Sequence, residues 1–94
     1  MSEEPQFYPL PRILAGDFAE FAEILAEDED FPGTHAGWER LAEARRAELA
    51  DDGYTAKFID VRPAGFRRFL KEAGGSPSMN GLAAYVALLA TYKR

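Results

Sequence analysis

The chain has 94 residues, of which 47% are hydrophobic and none is cysteine, and its net charge is −5. This composition suits one small globular domain, and the lack of cysteine excludes disulfides, thiolate nucleophiles and cysteine-ligated zinc. The opening Met-Ser-Glu-Glu-Pro lacks the basic and apolar regions of a secretory signal, and no apolar run is long enough to span a membrane. We therefore expect a cytoplasmic protein.

Charge is divided unevenly along the chain. Residues 1–52 carry four cations and fourteen acids, a net charge of −10, whereas residues 53–94 carry seven cations and two acids, a net charge of +5. Such a division indicates either a charged partner or two halves of one domain that attract each other. Both interpretations stay open.

The first ten residues contain Pro5 and Pro9 and are predicted to form an extended N-terminal segment (residues 1–10). A single small helical domain is predicted to follow over residues 11–94. Pro11 suits the first position of a helix, but a stronger start signal comes later in the chain.

That signal is Asp17 followed by Glu20, which has the spacing of a capping box. Apolar residues then recur every three or four positions and predict the buried stripe of a first helix. The stripe comprises Leu14, Phe18, Phe21, Ala22 and Leu25.

A second helix is predicted after the break at residues 31–33, with Thr34 as its N-cap. Its apolar stripe comprises Trp38, Leu41, Ala42, Arg45 and Leu49. Gly53 is expected to end it, since glycine readily adopts the left-handed conformation found at helix ends.

Residues 54–61 have the aromatic and β-branched bias of a strand. Pro63 suits the first turn of a third helix, which is predicted to run to about Ala73 and to end at Gly74. Ser76 and Pro77 predict the cap and first turn of a fourth helix. The predicted buried residues of these two helices are Phe66, Phe69, Leu70, Ala73, Met79, Leu82, Tyr85, Val86 and Leu89.

The resulting fold class is α+β and mainly helical, with four helices and one short strand in the order helix, helix, strand, helix, helix. A lone strand needs hydrogen-bonding partners for its backbone. Two pairings are open: with the N-terminal segment around residues 7–10, or with a partner chain, either a second copy or another protein.

Groups suited to catalysis are sparse. His35 is the only histidine, and a proton-transfer site usually needs a second group to orient its base. Of the three serines, Ser76 and Ser78 suit helix capping, and Ser2 lies near the N-terminus. We expect His35 in the first turn of the second helix, and we predict a protein that is not an enzyme, has no catalytic residues and needs no cofactor.

The acidic loop from Asp28 to Glu39 partly matches a calcium-binding loop. Four residues occupy positions one, three, six and twelve of the EF-hand pattern: Asp28, Asp30, Gly33 and Glu39. Pro32 replaces the oxygen ligand at position five, and the chain has no second hand. A hydrated acidic loop is the preferred interpretation, and no metal site is predicted.

Five cations lie within fifteen positions of the second half: Lys57, Arg62, Arg67, Arg68 and Lys71. Arg67 and Lys71 are four apart and share a helix face. Such a set can bind phosphates, the acidic half of the same chain or an acidic partner, or can simply be a solvated surface. We take these five as the candidate partner-binding residues.

The order strand, helix, helix over residues 54–94 resembles that of ribbon-helix-helix DNA-binding proteins. The resemblance implies a dimer whose paired strands lie in the major groove. The face of such a ribbon would present Thr55, Lys57 and Ile59 to DNA, which is a departure from a polar reading face. The acidic first half would be repelled by DNA unless it faced away.

The function expected from the sequence is therefore that of a small cytoplasmic binding or regulatory protein. It would act through a protein-protein interface that includes strand 54–61 and the cations of the third helix. The partner is expected to be another protein or a second copy of the chain, with no membrane involved. The alternative is a dimeric DNA-binding regulator formed by residues 54–94.

Overall fold

The computed structural model describes residues 6–92. In this part of the chain the elements follow in the order β1 (Gln6–Ile13), α1 (Phe18–Ile24), α2 (His35–Asp51), β2 (Tyr54–Val61), α3 (Pro63–Ala73) and α4 (Met79–Tyr92), with a short 3-10 helix at Ala15–Asp17 before α1. The prediction of a mainly helical α+β fold with four helices is confirmed. The prediction of one strand is wrong, because a second strand, β1, precedes the first helix.

The two strands pair in parallel along their whole length, from Gln6 opposite Tyr54 to Ile13 opposite Val61. Of the two pairings left open by the sequence, β2 thus has the one with the N-terminal segment of its own chain. Parallel strands need a long crossover, which α1 and α2 provide. β1 continues across the predicted junction at residue 10, and residues 1–5 lie outside the described residues.

Two prolines shape β1. Proline has no N–H, so it is tolerated in a strand where its nitrogen faces away from the neighbouring strand. Pro9 and Pro11 are two positions apart and therefore face the same side of β1. Continuous pairing of β1 with β2 requires that this side be the outer edge. Pro11, which the sequence allowed at a helix start but did not favour there, lies in β1 instead, where its missing N–H and fixed φ suit the outer edge.

The core lies on the sheet face that carries Ile13, Ile59 and Val61. α4 packs against both strands, and α1 and α3 close the core at the far side. The buried cluster comprises Ile13, Phe18, Phe21, Leu25, Trp38, Ile59, Val61, Phe66, Leu82 and Val86. α2 lies on the opposite face, where the Arg45 guanidinium is 5.6 Å from the centre of the Tyr8 ring.

Several helix ends follow the local signals of the sequence. Thr34 caps α2 through its hydroxyl, which accepts a hydrogen bond from the backbone N–H of Gly37 at 3.0 Å. Gly53 and Gly74 follow α2 and α3 with φ of 89° and 69°, which is the left-handed region that favours glycine. Pro63 is in the first turn of α3. These predictions are confirmed.

The starts of α1 and α4 differ from expectation. Asp17 makes no capping hydrogen bond, because the 3-10 helix runs directly into α1. The cap of α4 is Ser78 instead of Ser76: the Ser78 hydroxyl accepts from the backbone N–H of Gly81 at 3.1 Å, and Ser76 Oγ hydrogen-bonds Ser78 Oγ at 2.8 Å. The sequence pattern therefore places this helix start two residues too early.

Two leucines predicted as core residues are exposed. Leu14 is 38% exposed, because it lies in the turn between β1 and the 3-10 helix. Leu41 is 41% exposed and lines a groove between α2 and α4. Helical periodicity placed both on a buried stripe, but α2 packs on the sheet through Trp38 and Leu49.

Candidate functional site

The outer edge of β2 is open, since the sheet formed by residues 6–92 has only two strands. In a parallel pair, a residue whose N–H and C=O face the neighbour lies opposite a residue whose own groups face away. Since the two prolines of β1 face outward, Leu10 faces β2, and its partner Phe58 therefore faces away. The alternate positions Tyr54, Ala56, Phe58 and Asp60 present their backbone groups outward, and we call this row the β2 edge.

Apolar side chains are exposed on the sheet around this edge. Phe7 is 60% exposed, Tyr8 39%, and Tyr54 and Phe58 37% each. Tyr8 and Tyr54 meet edge to face with ring centres 5.9 Å apart. Exposed aromatic groups of this kind are typical of surfaces that contact partners.

A shallow hollow of about 430 Å³ lies on the strand pair near Phe58. It is lined by Phe7, Pro9, Arg12, Lys57, Phe58, Ile59, Asp60 and Ala90. Four of these are consecutive in β2, although their side chains alternate between the faces of the sheet. Residues of β1, β2 and α4 all line the hollow, so it spans the strand pair around Lys57 and Phe58.

Two of the five candidate cations contact acids in the first half of the chain. Arg62 Nε lies 2.8 Å from the buried Oδ2 of Asp17, in an ionic contact without the alignment of a hydrogen bond. Arg67 Nε donates to Glu20 Oε2 at 3.3 Å. Some of the opposite charges of the two halves therefore pair within the chain, and these pairs join the start of α3 to the segment that follows β1.

The other three candidate cations lie in separate surroundings. Lys57 is exposed on β2 itself. Lys71 lies in the last turn of α3, where the helix dipole stabilises a positive charge. Arg68 lines a groove of about 370 Å³ between α3 and α4, together with Tyr85. Burial raises the pKa of Tyr85, and the charge of Arg68 opposes that shift. The structure therefore does not gather the five cations into one cluster.

An ion pair closes the C-terminal end of the strand pair. Arg12 Nε donates to Asp60 Oδ1 at 2.5 Å, between register partners on β1 and β2. This hydrogen bond, with the Coulombic attraction of Asp60, raises the pKa of Arg12 above its ordinary value. Sequence reasoning missed this pair because it did not place residues 11–13 in a strand.

His35 joins α2 to the end of β1. It lies in the first turn of α2, as predicted, and its Nε2 is 2.8 Å from the carbonyl oxygen of Ile13. Its Nδ1 is 3.6 Å from Glu39 Oε1. Because both ring nitrogens contact other residues, the position of His35 is explained by its structural role as a link between β1 and α2. Ser2, the serine near the N-terminus, lies outside the described residues.

The acidic loop has a structural role that the sequence did not indicate. Asp28 Oδ2 accepts a hydrogen bond from the backbone N–H of Met79 at 2.7 Å, and its Oδ1 accepts from Asp30 N–H at 2.9 Å. Asp28 therefore caps α4 from a distant part of the chain. Within residues 6–92, no three His, Cys, Asp or Glu residues come together as a possible metal site.

The ribbon-helix-helix alternative requires one face of β2 to meet DNA. Ile59, on the face that would carry Thr55 and Lys57, is only 5% exposed and belongs to the core. The opposite face lies under α2. The alternative stays a prediction, and it requires two chains in solution.

No protein-family model, curated protein or solved structure matches this chain. Among the helices of residues 6–92, none has the length and apolar character needed to cross a membrane. The expected cytoplasmic location stays a prediction.

Proposed function

We propose that this chain is a small non-enzymatic binding or regulatory protein that acts through a protein-protein interface at the β2 edge. The observation that supports the proposal is the row of outward N–H and C=O groups along an exposed strand. Outward-facing backbone groups on a strand edge readily accept an extended segment, which adds to the sheet as a further strand.

The side chains beside the edge suit this mode of binding. Backbone hydrogen bonds provide affinity without selectivity, and side-chain contacts at alternate positions provide selectivity. Tyr54 and Phe58 offer exposed aromatic surface, and Lys57 offers a positive charge on the other face of the strand. An incoming segment with an apolar side chain opposite Phe58 fits this pattern.

The candidate cations beyond the strand would take a secondary part. The side chains of Arg62 and Arg67 are 66% and 51% exposed although each contacts an acid. Arg62 and Arg67 place positive charge beyond the end of β2, and such charge steers acidic partners and fixes orientation more than it adds affinity.

The proposal is tested by photo-crosslinking in cells that express the protein, with a photoreactive residue in place of Thr55. We expect covalent adducts with a protein, which Ala56→Pro abolishes because it removes an outward N–H of the β2 edge. Pro9→Ala is the matched control: it adds a backbone N–H on the outer edge of β1 and should leave the adducts in place.

A second control is a photoreactive residue in place of Ala47, which is exposed on α2. Adducts from position 55 that do not exceed those from position 47 would contradict the proposal. So would adducts that persist in a folded Ala56→Pro variant.

A further inference from the structure

We infer that the β2 edge binds the β2 edge of a second copy of this chain, in antiparallel orientation about a two-fold axis at Phe58. The two chains together would form a four-stranded sheet in the order β1, β2, β2, β1. The inference rests on the proposed function and names the partner.

The outward backbone groups of the β2 edge are self-complementary. In an antiparallel pair, two opposed residues that both face each other exchange N–H and C=O in hydrogen bonds. A two-fold axis at Phe58 places Phe58 opposite its copy and Ala56 opposite Asp60, and all of these face outward. The Phe58 pair exchanges two interchain hydrogen bonds, and the pairing positions of Ala56 and Asp60 flank it on either side.

The charges at the two ends of β2 favour this orientation. Asp51 and Asp52 precede β2, and Arg62 and Arg67 follow it; all four are exposed, and the two arginines also contact Asp17 and Glu20 within the chain. Antiparallel pairing brings the acidic end of each strand towards the cationic end of the other. Parallel pairing would bring acids to acids and cations to cations, and like charges placed opposite each other are destabilising.

The side chains favour one register among those compatible with the backbone. An axis at Lys57 would place two lysines directly opposite each other in the close, non-hydrogen-bonded type of pair. An axis at Phe58 instead pairs two exposed aromatic rings and places Lys57 opposite Ile59. Aromatic pairs across strands are among the favourable ones.

Light scattering tests the assembly. We expect wild-type protein at about 100 μM to have twice the monomer mass of 10.4 kDa. Ala56→Pro should raise the dissociation constant tenfold or more, because the symmetric dimer loses a hydrogen bond in each chain. Pro9→Ala should leave the dissociation constant unchanged.

Cysteine cross-linking tests the register, since the chain has no native cysteine. In the proposed dimer, the two Cα atoms at position 58 are about 5.5 Å apart, within the range of a disulfide. Phe58→Cys should therefore give a covalent dimer on mild oxidation. Thr55→Cys is the control, because its two copies would be about 20 Å apart along the strands.

A second cross-link leaves Phe58 in place. The double variant Ala56→Cys and Asp60→Cys should form two interchain disulfides, because these positions face each other across the axis. Within one chain they are about 13 Å apart, too far to bond. Circular dichroism of each variant establishes that it is folded.

Each outcome decides the matter. A wild-type monomer overturns the second copy as partner, while adducts of another protein from position 55 would still support the proposed function. A dimer that persists in folded Ala56→Pro overturns the inference, because its interface lies elsewhere. Cross-linking at position 55 as efficient as at position 58 overturns the register.

Discussion

The two outer edges of the sheet differ in almost every respect. On β1, Pro9 and Pro11 remove two donors, and the groove between α2 and α4 runs alongside Leu10 and Pro11. On β2, the outward positions include no proline, and two of them, Tyr54 and Phe58, have exposed aromatic side chains. The comparison indicates that one edge is closed to further strands, whereas the other keeps its donors and acceptors.

The difference extends to register partners. Leu10 and Phe58 lie opposite each other on the same face of the sheet, yet Leu10 is 7% exposed and Phe58 37%. Burial of the β1 side chain contributes to the stability of the monomer. Exposure of the β2 side chain leaves apolar area that a partner can cover.

The largest effect is expected where α4 begins, because α4 supports β1. A Cβ at Gly81 would overlap the carbonyl oxygen of Ser76. Because this oxygen belongs to the backbone, it cannot move aside as the end of a flexible side chain could. Gly81→Ala should lower the free energy of unfolding by about 3 kcal/mol, measured by urea denaturation. Gly16→Ala is the control, since a Cβ there meets no atom within 4 Å; equal losses in both variants would contradict this packing.

The register pair separates stability from binding. Leu10→Ala should lower the free energy of unfolding of the monomer by about 3 kcal/mol, whereas Phe58→Ala should cost about 1 kcal/mol, because a half-exposed side chain gains less from folding. Phe58→Ala should also weaken the dimer, and Leu10→Ala should not. Denaturation of dilute samples and light scattering of concentrated ones measure the two effects. A larger loss of unfolding free energy in Phe58→Ala than in Leu10→Ala would contradict the assignment of Leu10 to the core and Phe58 to the surface.

Asp28 tests the long-range cap of α4. Asp28→Ala removes the acceptor of the Met79 N–H and should lower the free energy of unfolding by about 1 kcal/mol. Asp30→Ala is the control, since the bond between these two residues uses the backbone N–H of Asp30, which the substitution retains. Thermal denaturation of both variants measures the difference, and an equal change in each would argue against a cap.

The smallest effect is expected at the end of β2. Arg62→Gln removes the cation beside the buried oxygen of Asp17, while most of the arginine side chain is already solvated. The expected loss is about 1 kcal/mol or less, reduced further by salt. Chemical denaturation at low and high ionic strength checks it, and a loss that grows with salt would be inconsistent with an ionic contact.

Elements whose signals are local could be predicted from the sequence. The strand Tyr54–Val61 and the helix Pro63–Ala73 have the predicted bounds, because glycine and proline end them within a few residues. β1 could not be predicted as a strand, because its prolines resemble breaks unless its orientation towards β2 is known. The Asp28 cap joins residues 51 positions apart, and no local pattern encodes such a contact.

The candidate site was only partly visible in the sequence. The strand and Lys57 were identified, and Arg62 and Arg67 were expected to meet either a partner or the acidic half of the chain. Which backbone groups of β2 face outward depends on the register with β1, and that register depends on tertiary packing. The β2 edge is therefore a property of the fold, not of any short motif.

Residue-resolved amide hydrogen exchange, at low and high protein concentration, tests the β2 edge most directly. At low concentration, the amides of Lys57 and Ile59 should be protected by their bonds to β1, and those of Ala56 and Phe58 should exchange freely. At high concentration, Ala56 and Phe58 should become protected as the second copy binds. Protection of Ala56 and Phe58 at every concentration, or at none, would contradict the account.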